Sequence, residues 1–179
     1  MNFKDLVLRR ESCRDYAATP VEREKLENML ECARLAPSAC NSQPWNFTVV
    51  TKKETAAELA KCLQDLGMNK FTDNCPAFIV INEEKATLAS RIAGALHSQH
   101  YAQMDIGIVV SHLALSAAEQ GLSTCILGWF DEDKLRKLLD IPKDKRTRLV
   151  LAVGYQNEQK EPRAKKRKAM EDIARFVED

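Results

Sequence analysis

Three arginines and a serine lie close together near the start of the chain, in the segment Arg9-Arg10-Glu-Ser12-Cys-Arg14. Guanidinium groups match phosphate oxygens through paired hydrogen bonds, and a hydroxyl adds a further donor. The segment could therefore bind a phosphate group. Judged on these six residues alone, however, a charged surface exposed to solvent is the more common explanation. Exposed charges often contribute little to stability or binding.

A second group of cations lies near the other end, where six of the nine residues from Lys160 to Lys168 are lysine or arginine. Lys165 and Arg167 are candidates for anion binding. The alternatives are a flexible solubilising terminus or a weak nucleic-acid patch. The formal net charge of the whole chain is only +1, so positive charge is not spread as on a general nucleic-acid surface.

The stretch APSACNSQPW, residues 36–45, has no charged residue. Ser38, Asn41, Ser42 and Gln43 offer hydrogen-bond donors and acceptors, and the small residues would let a flat ligand approach the main chain. The alternative is a turn that only joins a helix to a strand, held by local side-chain hydrogen bonds. A ligand-lining loop and a simple connection both fit the stretch.

Helices and strands that would position these segments follow from the apolar spacing and from the helix-end signals. We expect the second helix to start at Thr19, with Pro20 in its first turn and Glu22 completing a capping box, and to stop before Pro37. The other predicted helices cover residues 3–8, 53–66, a central one from about Ser98 to Gln120 capped by Gly121, and a short one after Asp131. The predicted strands cover residues 47–51, 76–81, 124–129 and 149–153.

Length and composition describe one globular domain. The chain has 179 residues, of which 45% are hydrophobic and 30% charged, so a single core is expected. The six cysteines have no metal-ligand spacing and no secretory leader precedes them, which predicts reduced thiols in a cytoplasmic protein. No run reaches the roughly 20 apolar residues that span a membrane. We expect no metal site.

Single nucleophiles and bases carry weaker predictions. Cys13 lies between two of the candidate phosphate ligands, and a positive environment could lower the pKa of its thiol. His97, His100 and His112 have no spacing to a carboxylate or to a cysteine pair that would mark a catalytic or metal-binding group, so ordinary core or surface histidines are favoured.

In this order along the chain, the motifs resemble those of the FMN-dependent nitroreductase family. The resemblance covers almost the whole chain, and APSACNSQPW is its most specific part. The matching motifs are Arg-x-Ser-x-Arg near the start, Ala-Pro-Ser-Ala-x-Asn-x-Gln-Pro-Trp after the second helix, Asp105-Ile-Gly107 in the central helix, Gly-Leu-Ser-Thr-Cys before the third strand and Lys-x-Arg near the end.

The fold that the resemblance implies is α+β, with a mainly antiparallel four-stranded sheet flanked by helices and a long central helix. It further implies one FMN-binding domain over residues 1–155 and a C-terminal arm over residues 156–179 that embraces the partner subunit of a homodimer. Such an interface is expected to be large and apolar.

The resemblance also implies the cofactor contacts. The first motif and the late Lys-x-Arg would converge on the flavin phosphate, while Arg14 and Lys70 would place positive charge near the flavin ring. The loop at residues 37–41 would cross to the partner's flavin, and main-chain amides near Gly128 would face flavin N5, with Trp129 narrowing the pocket. The implied cofactor-binding residues are Arg10, Glu11, Ser12, Arg14, Pro37, Ser38, Ala39, Asn41, Asn69, Lys70, Leu127, Gly128, Lys165 and Arg167.

The activity implied by the resemblance is that of an FMN-dependent oxidoreductase. NADH or NADPH would give a hydride to the flavin and leave, and a nitroaromatic or a quinone would then accept the electrons, in a ping-pong cycle. No protein acid or base is required, because the flavin carries the chemistry. The alternatives are an FMN carrier or sensor without turnover, a nucleic-acid-associated protein, and a specialised dehalogenase or flavin-fragmenting enzyme, for whose lid this length leaves little room.

Overall fold

The computed structural model describes residues 2–158 and 163–178 of the chain. Lys160, at the start of the basic run, and the parts of the predicted arm at 159–162 and 179 lie outside the described residues. The helices are α1 (Phe3–Arg9), α2 (Arg23–Arg34), α3 (Lys53–Leu63), α4 (Leu88–His97), α5 (Tyr101–Glu119) and α6 (Glu132–Leu138), and the strands are β1 (Trp45–Val50), β2 (Ala77–Glu83), β3 (Ser123–Leu127) and β4 (Arg146–Gly154).

The four strands form one antiparallel sheet in the order β1-β2-β4-β3. β2 and β4 are central and buried, and each pairs with strands on both sides. β3 is an edge strand whose outer side meets the N-terminal segment through a single parallel bridge between Ser12 and Thr124. This bridge brings the first arginine motif to the edge of the sheet.

Hydrophobic cores lie on both faces of the sheet, because neighbouring residues of a strand point to opposite sides. Phe78 and Val80 of β2 belong to the core that includes α3 and α6, whereas Ile79 and Ile81 belong to the core that includes α2 and α5. The chain therefore forms three layers, with α5 buried against the sheet. The predicted α+β fold with an antiparallel four-stranded sheet and a long central helix is confirmed.

Several predicted helix boundaries are wrong. Residues 19–21 are not helical, and α2 begins at Arg23, where Glu22 is the N-cap but makes no side-chain capping bond. α3 ends at Leu63 rather than 66, because the chain turns into a short 3-10 segment whose central residue, Leu66, has a φ of 52°. Gly121, with a φ of 78°, ends α5 as predicted.

Helix α4 is one that the sequence analysis does not predict. Leu88, Ile92 and Leu96 have helical spacing, but they are exposed on the outer face of the helix. They therefore do not form a buried apolar stripe that packs against the core. Near the C-terminus the described chain forms only a 3-10 turn, Met170–Asp172, and the side chains of Met170, Ile173 and Phe176 are exposed. Among the described residues, no helix is long and apolar enough to cross a membrane.

Candidate functional site

The first arginine motif lies between the end of α1 and the edge of the sheet. Arg10 is the C-cap of α1, and its backbone N–H donates to the carbonyl of Leu6. The backbone N–H of Cys13 then donates to the carbonyl of Thr124 at 2.9 Å, next to the Ser12 bridge. The motif is therefore fixed in space by main-chain bonds, which leaves the side chains of Arg10 and Ser12 to line a cavity.

The C-terminal arm returns to this motif through Glu11. The Glu11 carboxylate accepts the backbone N–H of Arg163 at 3.0 Å and also binds the Arg163 guanidinium. Lys165 Nζ lies 3.7 Å from the same carboxylate, and an Arg163 nitrogen donates to the carbonyl of Ser12 at 3.3 Å. Burial alone would raise the pKa of Glu11, but the Arg163 hydrogen bonds and the Lys165 and Arg163 charges hold it below its ordinary value.

A cavity of about 620 Å³ lies where these two segments meet. Its charged lining residues are Arg9, Arg10, Glu11, Arg14, Asp15 and Arg163. Because the Glu11 carboxylate already binds two cations, the remaining arginines give the cavity an excess of positive charge. With the Ser12 hydroxyl beside them, these are donors that suit a phosphate dianion. The observed donor set therefore fits the phosphate end of FMN.

Arg14 lines this cavity, and its guanidinium group lies towards the loop after α3. Its guanidinium carbon lies 6.0 Å from the centre of the Phe71 ring, a cation–π distance, and Phe71 in turn stacks on Tyr16 at 6.4 Å between ring centres. Lys70 is exposed next to Phe71. Two of the predicted cations, Arg14 and Lys70, thus lie on the same side of the molecule.

Asn69 connects that loop to the end of β3. It has a left-handed φ of 50°, and its side-chain amide donates to the carbonyls of Leu63 at 3.1 Å and Trp129 at 3.2 Å. The Trp129 indole donates to the carbonyl of Asp65 at 3.0 Å. These bonds hold Trp129 and the preceding Gly128 in one position, just beyond the buried Leu127. Asn69 is therefore the residue that fixes this turn.

The loop at residues 37–43 has an unusual backbone. Cys40, Asn41 and Gln43 all have positive φ values, of 53°, 48° and 45°, a conformation that costs about 1 kcal/mol or more for residues other than glycine. Side chains compensate for this strain. The Ser38 hydroxyl accepts the Gln43 N–H at 2.9 Å, and the Gln43 amide donates to Asn41.

A buried carboxylate anchors the same loop to α5. Asp105 is 4% exposed, and both of its carboxylate oxygens lie 3.2 Å from the Ala39 N–H. Pro37 is exposed at the start of the loop, and Ser38 and Ala39 are partly exposed. The loop is thus a rigid, uncharged edge at the N-terminal end of α5.

Helix α5 separates this loop from the positively charged cavity of about 620 Å³ at the arginine motif (the phosphate-type cavity) of the same subunit. The loop is anchored at Asp105, whereas the cavity is lined by Ala118 and Gly121 at the other end of α5. At a rise of 1.5 Å per residue, Asp105 and Ala118 are about 20 Å apart along the helix. The structure therefore brings the first motif, Glu11 and Lys165 together, but places residues 37–41 far from them within one chain.

The cysteines show no sign of activation or of metal binding in the described part of the chain. Burial raises the pKa of the Cys13 thiol, so the expected lowering is wrong, because burial outweighs the charge of Arg14. All six cysteines are unbridged. Within residues 2–158 and 163–178, no group of histidine, cysteine, aspartate or glutamate residues has the arrangement of a metal site.

Comparison with known proteins assigns the chain to a family. The model of the nitroreductase family matches residues 7–67 and 62–155, which together make up most of the chain. The chain belongs to the nitroreductase family, and the family predicted from the motifs is confirmed.

Individual relatives agree with this assignment. A protein of Streptococcus pyogenes serotype M6 named as an NAD(P)H nitroreductase is 30% identical over 90% of this chain and 94% of its own length. An iodotyrosine deiodinase of Haliscomenobacter hydrossis is 24% identical over 82% of this chain and 75% of its own length. The chain is therefore similar to proteins named for two different reductive activities.

Solved structures have the same fold. An FMN-dependent nitroreductase from Clostridium difficile R20291 is 27% identical, with a TM-score of 0.74 over 94% of this chain and 92% of the other. A nitroreductase family protein from Streptococcus pneumoniae TIGR4 is 24% identical and superposes with a TM-score of 0.80 over 98% of this chain and 100% of the other.

Three residues of the site were not singled out by sequence reasoning. Arg163 belongs to the basic run, but nothing in the run distinguishes it from its neighbours before its contact with Glu11 is seen. Asp105 stands in a quoted motif without a role, and its buried position explains that motif. Phe71 gave no signal, since a single aromatic residue in a loop has no periodic pattern.

Proposed function

We propose that this chain is an oxidoreductase that binds FMN, takes electrons from NADH or NADPH and passes them to a small electrophile such as a nitroaromatic or a quinone, in a ping-pong cycle. The enzyme class and the cofactors predicted from the sequence are confirmed by the family and by the names of its members. The observation on this chain that carries the proposal is the meeting of Arg10 and Ser12 with the C-terminal arm in one positively charged cavity.

When bound, FMN would supply the redox chemistry of hydride transfer. The protein residues position it. Arg10 and Ser12 would hold the phosphate from one side, and Lys165 and Arg167 would approach from the arm. Glu11 sets the path of the arm by binding Arg163, so its contribution to cofactor binding would be indirect.

At the ring end, Arg14 and Lys70 would supply positive charge that favours the reduced, anionic state of the cofactor. β3 joins the two ends, because Ser123 lines the phosphate-type cavity and Gly128 follows the strand, about 16 Å away at the usual rise of an extended chain. Trp129, held by Asn69 and Asp65, would restrict the space beside the ring.

We further propose a homodimer in which residues 37–41 line the flavin of the partner subunit. The 20 Å separation along α5 places that loop away from its own cavity, and a two-fold axis across α5 would return it to the other subunit's site. Exposed apolar side chains could supply the interface: Phe3, Leu8, Met104 and Ile108 on α1 and α5, and Ile173, Phe176 and Val177 on the arm. The division into residues 1–155 and an arm at 156–179, and a cytoplasmic location, remain predictions.

The proposal is tested by the visible spectrum of the purified protein and by anaerobic addition of NADH or NADPH. We expect a flavin spectrum that bleaches with the donor and recovers when a quinone or nitroaromatic is added. A colourless protein that also rejects added FMN would exclude the proposal. Binding without bleaching would favour an FMN carrier or sensor, and an iodinated phenol among the acceptors tests reductive dehalogenation.

A further inference from the structure

A second cavity, of about 540 Å³, lies at the other end of α5. It is bounded by α4, by the turn between α4 and α5, and by the ends of β2 and β4. None of the residues predicted to bind the cofactor lines it. It therefore needs an explanation of its own.

Next to this cavity is a buried hydroxyl that has no hydrogen-bond partner among the described residues. Ser90 of α4 is 2% exposed, and its Oγ makes no hydrogen bond within the described part of the chain. A buried polar group left without a partner is costly, so native proteins rarely retain one unless it serves a ligand, water or ion. Ser90 is one of the residues that line the cavity, and its Oγ, although itself shielded from solvent, is a donor that a bound group would satisfy.

The N-terminus of α5 opens into the same cavity. His100, its N-cap, makes no capping bond with its side chain, and Tyr101 and Ala102 line the cavity. Helix N-termini carry unsatisfied N–H groups and a partial positive charge, which favour an anion. α5 has 19 residues, long enough for a full effect.

The charged side chains around the cavity also favour an anion. The acidic Glu83 and Glu84 are already paired with Arg148 and Lys145. By contrast, Lys85 and Arg91 form no ion pair with any residue in the described ranges, Arg146 is paired with Glu132, and Asp144 is the remaining acid among the lining residues. The unpaired charge at the cavity is therefore positive.

Gly94 gives the cavity its shape. The turn after α4 passes so close that a Cβ at Gly94 would lie 2.7 Å from the carbonyl oxygen of Gln99. The Gln99 N–H donates to the Gly94 carbonyl at 2.9 Å. The absence of a side chain thus lets the turn between α4 and α5 fold closely onto α4.

We propose that this cavity binds a carboxylate or phosphate group of a substrate, through Ser90, Arg91 and the N-terminal amides of α5. The cavity adjoins the loop at residues 37–43, because Ser42 Oγ accepts the N–H of Thr87, the N-cap of α4, at 2.8 Å. If that loop lines the partner's flavin, as the proposed function has it, a ligand anchored here extends towards the reacting ring. The anionic group could belong to the electron acceptor or to the phosphate of NADPH.

The test compares ligands that differ only in charge. Binding of 4-nitrobenzoate and 4-nitrobenzamide to the purified, FMN-loaded protein is measured by isothermal titration calorimetry. We expect the carboxylate to bind more tightly than the amide, and Arg91→Gln and Ser90→Ala each to weaken the carboxylate about tenfold, the effect of one charge-assisted or buried hydrogen bond. Arg23→Gln, which removes a distant exposed arginine of α2, is the matched control and should change neither affinity.

Two kinetic arms distinguish the source of the anion. If the acceptor supplies it, Arg91→Gln lowers kcat/KM for 4-nitrobenzoate but not for the amide; if the donor supplies it, the variant lowers kcat/KM for NADPH but not for NADH. Equal affinity of the wild-type protein for both nitro compounds, together with an unchanged kcat/KM for NADPH in Arg91→Gln, would overturn the proposal. Should NAD(P)H fail to bleach the protein while the charge preference in binding persists, the proposed function fails and the anion site stands.

Discussion

The contact between Glu11 and Arg163 is expected to couple cofactor affinity to the position of the C-terminal arm. Arg163 binds the Glu11 carboxylate through both its backbone N–H and its guanidinium. The Arg163 side chain is 64% exposed and that of Glu11 18% exposed, so the charge pair is worth about 1 kcal/mol rather than the value of a buried one. Glu11→Gln and Arg163→Gln should each weaken FMN binding by about that amount, roughly fivefold in Kd.

The double variant makes the test specific. If the two residues act through each other, combining the substitutions should weaken FMN binding no more than either one alone, giving a coupling energy of about 1 kcal/mol. FMN affinity is followed by the quenching of flavin fluorescence as the apoprotein is titrated. Strictly additive losses would refute the idea that Glu11 acts by tethering the arm.

The pH dependence of this contact has a defined sign. Because the pKa of Glu11 is lowered in the folded protein, the stabilisation is fully present above the pKa of the unfolded chain, near 4.5. It is lost as pH falls through the lower, folded value. The difference in FMN affinity between the wild-type protein and Glu11→Gln should therefore be constant at neutral pH and shrink only in acid.

Three other substitutions test separate parts of the site. Arg167→Ala should weaken FMN retention by about 1.5 to 3 kcal/mol, the value of one charge-assisted contact. Retention is measured by dialysis, with Lys168→Ala as the control. Unchanged retention would show that Arg167 does not bind the phosphate. Asp105→Ala leaves the Ala39 N–H without its acceptor and should lower the free energy of unfolding by about 1 to 3 kcal/mol in urea, with Asp105→Asn recovering part of the loss; equal loss in both variants would show that the hydrogen bond to Ala39 is not responsible. Trp129→Ala should raise kcat/KM for bulky quinones relative to small ones, whereas Trp129→Phe should not; no change in this ratio would remove Trp129 from the pocket wall.

The sequence was sufficient to predict the strands and the core helices, because buried strands and helices have clear apolar patterns. β2 reads as a continuous apolar run, and it is the central strand of the sheet. The end of α5 at Gly121 was predictable because only a residue without a side chain takes a φ of 78° without strain. α4 was not predicted, because its apolar residues face outwards and do not form the buried apolar stripe of a core-facing helix.

The site was only partly readable for a different reason. Residue types predict Arg10, Ser12 and Lys165 as anion ligands, but they do not say which carboxylate brings the two ends of the chain together. Glu11 has that role through Arg163, a contact across about 150 residues that no local spacing records. Asn69 was predicted as a flavin contact, and the structure shows the same amide fixing the backbone at Trp129. Its direct contact with the flavin remains a prediction.

In the proposed homodimer, each flavin site combines the cavity of one subunit with the loop of the other. This arrangement is tested by co-expressing two variants that each fail to retain FMN, Arg10→Glu in the cavity and Ala39→Trp in the loop, with different affinity tags to isolate the mixed dimer. We expect the mixed dimer to recover one flavin per dimer, because one of its two sites combines the unaltered cavity with the unaltered loop. A mixed dimer with no more flavin than its parents would show that cavity and loop serve the same subunit, and would contradict the claim.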